Sequence, residues 1–196
     1  MKRIMLIVFV CMLFFSCSGE GSSGTLSAQS TTTLDQFGLR ASRIDGIAGI
    51  IITSYNGSGG AVTIPREING IPVRAIGNEA FSGRKIFSVT IPDSVISIGN
   101  NAFSNNLLRN VTIPNSVTSI GEEAFRNNLI TSISIPNSVT SMHWNAILSD
   151  NLLTSITIGA NVQRFNIWGG ANNEAIYNNT AGTFTRTDLD SSWVRR

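Results

Sequence analysis

The chain has 196 residues, 42% of them hydrophobic and only 13% charged, with 14 Lys and Arg against 12 Asp and Glu and a single histidine. So little and so balanced a charge excludes the basic stripe that a nucleic-acid binder needs, while the apolar share is enough to build a core. The two cysteines, Cys11 and Cys17, both fall at the start of the chain, which leaves the rest without a disulfide, a thiol nucleophile or a cysteine-ligated metal.

Lys2 and Arg3 precede an apolar run from Ile4 to Phe15. The run is too short to span a bilayer and has the length of a signal h-region, so residues 1–16 read as a signal peptide. It ends in LFFSC. A small residue before a cysteine at this place resembles the lipobox of bacterial lipoproteins, which makes Cys17 the lipidated first residue of the mature chain. Phe14 stands where that motif usually has leucine, and a plain secretory signal cut after Ser16 or a little later is the alternative. Removal of the leader takes Lys2 and Arg3 with it and leaves 12 basic and 12 acidic residues, so the mature chain has no net charge. Residues 17–33 carry the cysteine and then SGEGSSGTLSAQSTTT. That composition cannot bury a core and reads as a flexible tether about 20–25 Å in mean span.

Residues 34–61 read as an N-terminal cap, with Phe37 to Tyr55 forming a hairpin that turns near Asp45-Gly46. Beyond it the chain repeats itself. VTIPDSVISIGNNAF starts at Val89 and VTIPNSVTSIGEEAF at Val111. Ile-Pro pairs fall at 64–65, 91–92, 113–114 and 135–136, with Ile158-Gly159 in the fifth place, and Ala-Phe pairs fall at 80–81, 102–103 and 124–125, followed by Ala146-Ile147. The period is 22 residues, or 23 across the insertion near Asp150, and REINGIPV lengthens the first interval to 27. A fixed period in this range is the signature of a solenoid.

Each part of the phrase has a physical task. NVTIP alternates outward Asn110 and Thr112 with inward Val111 and Ile113, the pattern of a half-buried strand. Pro114 then removes a backbone donor, and Pro-Asn-Ser favours a tight turn. VTSIG gives a second extended stretch, and the recurring Gly77, Gly99 and Gly121 mark either a positive φ or a close approach of backbone. EEAF is long enough for one helical turn that sends a phenylalanine inward, and the Asn-rich segment after it turns the chain back. One rung buries too little apolar surface to offset the ordering of its own backbone, so stability requires stacking.

SVTIPxSVxSIGxxAF resembles the BspA-like surface leucine-rich repeat in the form known from treponemal proteins, over Val62 to Phe165, as four full rungs and a partial fifth. The flanks GIIITSYNGSGGAVTIP and AGTFTRTDLDSSWVRR are similar to that family's amino-terminal start and carboxy-terminal tail. The resemblance implies an α/β solenoid, mostly β, a leucine-rich-repeat coil of 22–23-residue rungs with short single-turn helices and a cap at each end. Many relatives carry a cysteine after the Ala-Phe turn, where Arg84, Asn106 and Asn128 stand here. Residues 166–196 read as the C-terminal cap, with Trp168, Tyr177, Phe184 and Trp193 as cap aromatics or, alternatively, a ligand site.

No metal-ligand spacing, nucleophile elbow or phosphate loop appears, so no catalytic residue, metal or cofactor is expected and the chain reads as a non-enzyme. His143, beside Trp144, is read as repeat drift at a corner rather than a ligand or base. Glu122 and Glu123 are read as acids opening a helical turn rather than a catalytic pair. The remaining candidate is a surface. Ser88, Thr90, Asn110, Thr112, Ser132, Ser134, Ser155 and Thr157 are the outward positions of the first strand on successive rungs. Stacked, they make a broad uncharged hydroxyl face of the kind solenoids use for binding, or else a merely solubilising one. The sequence therefore implies an exported, lipid-anchored or secreted cell-envelope protein, monomeric, touching the membrane through its lipid alone. Its expected partner is a protein, as relatives' attachment to host matrix proteins or to other bacteria implies; a structural envelope module without a host ligand is the alternative.

Overall fold

The computed structural model describes residues 34–44, 46–143, 145–148, 151–162, 181–187 and 193–196. The signal segment, Cys17, the tether, Trp144 and most of the proposed C-terminal cap, including Trp168 and Tyr177, lie outside the described residues. What is described is a mostly-β solenoid of about five turns.

The N-terminal end is an antiparallel pair, β1 (Phe37–Ile44) and β2 (Ile47–Tyr55), with Phe37 opposite Tyr55. β2 then pairs in parallel with β5 (Ile71–Ile76), which begins one side of the coil. That side continues through three two-residue strands, β7 (Ser97–Ile98), β8 (Ser119–Ile120) and β10 (Ser141–Met142). The repeat dictates their register, because Ser97, Ser119 and Ser141 pair in one column and Ile98, Ile120 and Met142 in the next. The five inserted residues of the first rung form a hairpin between β4 (Glu67–Ile68) and β5. Asn69 and Gly70, at φ 52° and 76°, make its turn, and two successive positive φ angles are what the Asn-Gly pair supplies.

The VTIP segments form the other side. β3 (Gly60–Thr63) pairs with β6 (Ile86–Thr90), and β9 (Ser132–Ile135) pairs with β11 (Ser155–Ile158), all in parallel. The third rung differs from the sequence expectation. Asn110 to Ile113 keeps the out-in-out-in burial of a strand but makes no ladder, so this side consists of two sheets with an unladdered segment between them. β11 is covered on its far side by β12 (Gly182–Thr185), antiparallel, and β12 by β13 (Val194–Arg195). Phe184 and Trp193 are buried there. Arg186 lies over the Trp193 ring at 4.7 Å and donates through Nε to the Leu153 carbonyl at 2.7 Å. These two tail aromatics therefore close the coil and do not open to a ligand.

The helical turns shrink to one. α1 (Asn145–Leu148) is the only helix among the described residues. In the first three rungs the same phrase makes tight turns, because Glu79, Asn101 and Glu123 have left-handed φ angles of 57°, 54° and 53°. A left-handed residue cannot propagate a right-handed helix, so Glu122 and Glu123 have no helix dipole to answer. The glycines just before these turns serve close approach. A Cβ on Gly121 would stand 2.6 Å from the Asn100 nitrogen and 2.7 Å from the Gly99 carbonyl carbon.

The turns stack into a third ladder, in which Phe81, Phe103 and Phe125 donate their N–H to Ala102, Ala124 and Ala146 carbonyls at 2.7–2.8 Å. Their rings, all fully buried, stack in the core at centroid distances of 5.0 and 5.4 Å, and Tyr55 from β2 extends the column with its ring 5.2 Å from that of Phe81. Offset aromatic pairs at these distances are favourable beyond their area burial.

After the Ala-Phe turn, from the second rung on, the structure has a ladder of buried amides. Asn106 Oδ1 accepts from the Arg84 and Ile86 N–H groups at 3.0 Å, and its Nδ2 donates to the Phe81 and Phe103 carbonyls at 2.7 and 3.0 Å. Asn128 repeats the pattern one rung on with Leu108, Phe103 and Phe125, and Asn151 again with Ile130, Phe125 and Ile147. At this corner the backbone turns too tightly to pair with itself, and the amide side chain, with both donors and acceptors, completes the pairing. These asparagines do more than turn the chain. Their sequence signal is the recurrence of asparagine at 106, 128 and 151, which by itself indicates only a turn.

Candidate binding face

The outward positions of the VTIP side are set by register. Ala61 pairs with Ser88 and Thr63 with Thr90; Ser132, Ser155 and Thr185 form one column and Ser134, Thr157 and Thr183 the next. Ser88, Thr90, Asn110, Thr112, Ser132 and Ser134 are exposed, while Ser155 and Thr157 are half-buried beside β12. The Thr157 and Thr183 hydroxyls are 3.0 Å apart and bonded. The structure thus brings the predicted residues to one side in two laddered groups, with Asn110 and Thr112 on the unladdered segment between them. It adds Thr183 and Thr185, which no repeat pattern announced, because β12 runs antiparallel and lies outside the period.

Two further features bound this face. In the pairing of β3 with β6 the register skips between Gly60–Ile86 and Ala61–Ser88, leaving Phe87 as an unpaired bulge residue. Its side chain is 56% exposed, and its ring passes 3.7 Å from where a Gly60 Cβ would be. At the other end lies an open cleft of about 650 Å³, lined among the described residues by Asn115, Ser134, Asn137 and Thr157 together with the apolar Ile135, Pro136 and Ile158. It forms where Gly159-Ala160 replaces Pro-Asn on the fifth rung. Ser94 and Ser116 donate their hydroxyls to carbonyls of the preceding rung at 2.9 and 2.7 Å. The equivalent Ser138 hydroxyl has no hydrogen-bond partner.

His143 does not face this side. Its Nδ1 contacts Asn145 Oδ1, Asn145 Nδ2 donates to Glu123 Oε1 at 3.3 Å, and Glu123 pairs with Arg126 at 3.1 Å. The network ties the fourth rung to the third. Among the described residues no group of three or more His, Cys, Asp or Glu is placed to hold a metal ion, and no helix is long and apolar enough to cross a membrane.

Three comparisons bear on this architecture. A family model described as BspA type leucine-rich repeat region matches residues 61–177 in six copies. The match runs past Phe165, into the segment read from sequence as the C-terminal cap. Among solved structures, a leucine-rich repeat protein of T. pallidum is 26% identical with a TM-score of 0.46, covering 58% of this chain and 64% of its own. One from Bacteroides capillosus is 34% identical with a TM-score of 0.47, covering 55% of this chain and 83% of its own. A leucine-rich cell surface protein of Faecalibacterium prausnitzii is 20% identical with a TM-score of 0.31 over 92% of this chain and 62% of its own. This chain therefore spans less than two thirds of the T. pallidum protein. A search of the curated proteins gave no match. With the family pattern covering more than half its length, the chain belongs to the BspA-type leucine-rich repeat family.

Proposed function

We propose that this is an exported, lipid-anchored surface protein that holds a protein ligand, either a host matrix protein or another bacterial surface protein, on the face carrying Ser88, Thr90, Asn110, Thr112, Ser132, Ser134, Ser155 and Thr157. Members of this repeat family serve protein interaction at bacterial surfaces and are typically scaffolds rather than enzymes. The observation that carries the reading is the face itself: two laddered groups, Ser88 with Thr90 and Ser132, Ser134, Ser155 with Thr157, whose outward side chains are neutral hydrogen-bonding groups held in register. Repeat proteins present their ligand surfaces in this way. Cys17 supplies the anchor and residues 18–33 the reach.

A neutral face attracts by shape and hydrogen bonds, not by steering, so capture should depend little on salt. Single contacts are weak, and display of many copies on a cell raises them. The test is a pull-down with the full chain, followed by the same pull-down with Thr112→Lys and Ser134→Lys together. Both positions are exposed, so circular dichroism stays unchanged while binding of the captured partner falls about tenfold or more, since each 1.4 kcal/mol is tenfold. Equal binding by the double variant removes this face as the site.

A further inference from the structure

We infer that the corner of the coil carrying Leu107, Leu129 and Leu152 rests on an anionic phospholipid surface, with Lys85 and Arg109 reaching the headgroups. The inference rests on the lipid anchor proposed above; the hydroxyl face and any protein partner play no part in it.

The corner follows from the repeat. Lys85, Leu107, Leu129 and Leu152 take the same place on successive rungs, one residue after the position of the amide ladder. The Leu107 N–H donates to the Ile86 carbonyl at 2.8 Å and the Leu129 N–H to the Leu108 carbonyl at 2.9 Å. The rungs are therefore tied in register here, although Asn110 to Ile113 makes no ladder. Leu107 and Leu152 are 46% and 43% exposed, Leu129 is half-buried, and Phe87 beside Lys85 is 56% exposed. Of the five large hydrophobics exposed among the described residues, these three share one corner. Scattered single residues need no explanation, but a contiguous apolar column marks a contact. Arg84, Lys85 and Arg109 border it, and among the described residues none of the three forms an ion pair.

The place where the chain enters the coil says what covers this corner. The Gln36 carbonyl accepts from the Asn56 N–H at 2.7 Å, and four residues on the Gly60 N–H donates to the Lys85 carbonyl at 3.2 Å. The chain running back to Cys17 thus enters close to the basic end of the column. Residues 18–33 span about 20–25 Å, and the column from Lys85 to Leu152 is about 14 Å long at strand spacing. An anchor at Cys17 therefore keeps the whole column within reach of the membrane. Equal residues at equal spacing make a straight ridge and not a groove, which suits a planar surface. The leucines enter the headgroup boundary while the long basic side chains reach the phosphates. Each such cation is drawn to an anionic surface, and salt screens the attraction. The contact is small and holds because the anchor makes it intramolecular. The stack then lies along the membrane plane.

The experiment couples the mature chain, residues 17–196, to a maleimide-bearing lipid through Cys17, its only cysteine. This supplies an anchor independently of acylation in cells. The vesicles are phosphatidylcholine, alone or with about one-third phosphatidylglycerol. Lys85 is the only lysine of that chain, so a water-soluble amine reagent followed by peptide mass spectrometry reads this corner directly. On the anionic vesicles Lys85 is labelled about fivefold or more slowly than on the neutral ones, and salt at about 0.5 M restores the rate. Leu107→Ser with Leu152→Ser also restores it, at low salt and with unchanged circular dichroism, which separates docking from the effect of surface charge on the amine. Arg109→Gln restores it in part. Equal labelling on both vesicles, or slowing that the leucine variant keeps, overturns the inference. Lys85 protection in a chain that cells do not acylate removes the natural anchor and leaves the docking corner standing. Acylation of Cys17 without Lys85 protection keeps the anchor and sinks the docking.

Discussion

Replacing Asn128 tests the central structural device of the coil, the buried amide ladder. Asn128 is 3% exposed; its Oδ1 accepts from the Leu108 N–H at 3.0 Å and its Nδ2 donates to Phe103 and Phe125 carbonyls at 3.0 and 2.9 Å. In Asn128→Ala the two carbonyls keep one donor each, Asn106 Nδ2 and Asn151 Nδ2. The Leu108 N–H loses the partner that satisfied it inside the protein. An orphaned buried donor costs about 1–3 kcal/mol and each lost bond about 1 kcal/mol net, so the expected loss is about 2–4 kcal/mol. That is a large share of the 5–15 kcal/mol typical of a domain. The assay is urea unfolding followed by circular dichroism, with Thr131→Ala, an exposed neighbour, expected within about 0.5 kcal/mol of the parent. Asn128→Asp sharpens the test, because a carboxylate there faces two carbonyl oxygens. Burial and those oxygens raise the folded-state pKa of that Asp above its unfolded value. Its extra penalty over alanine is therefore full at neutral pH and shrinks as pH falls through the folded pKa, vanishing below the unfolded value of about 3.9. A loss below about 1 kcal/mol for Asn128→Ala, or an Asp variant no worse than Ala at pH 7, would refute the account.

The other predictions follow from single contacts. Phe125→Ala removes a fully buried ring from the aromatic column and should cost about 3–5 kcal/mol; under about 1 kcal/mol in denaturant melts would place the ring outside the core's energetics. Gly121→Ala pushes a methyl against the backbone of the preceding rung and should cost about 1–3 kcal/mol, as overpacking does, so a neutral result would mean that the rungs slide freely there. Ending the chain after Phe165 strips β12 from β11 and leaves an open edge, so the fragment should aggregate; a monomeric fragment of unchanged stability would show that β12 and β13 are not a cap. Cys17→Ala should abolish acyl labelling and leave uncleaved precursor, whereas equal labelling in the variant would end the lipoprotein reading.

The sequence by itself determined the period, the side from which each residue looks and the column to which it belongs. Val111 and Ile113 turn inward and Asn110 and Thr112 outward because alternation is a property of extended backbone, laddered or not. Phe81, Phe103 and Phe125 share a column because equal spacing along a coil places equal residues above one another. Only the tertiary structure decided which backbone groups each rung leaves unpaired and what answers them. The Asn128 amide bonds to residues 3, 20 and 25 positions away, and such partners exist only once the rungs are stacked. The same holds for the extra residue that makes Phe87 a bulge, a matter of register between two strands and not of either strand alone. It holds for β12, whose antiparallel pairing breaks the period and half-covers Ser155 and Thr157. It also holds for the left-handed Glu79 and Glu123, where the stacked turns hold a φ that local preference alone would have made helical.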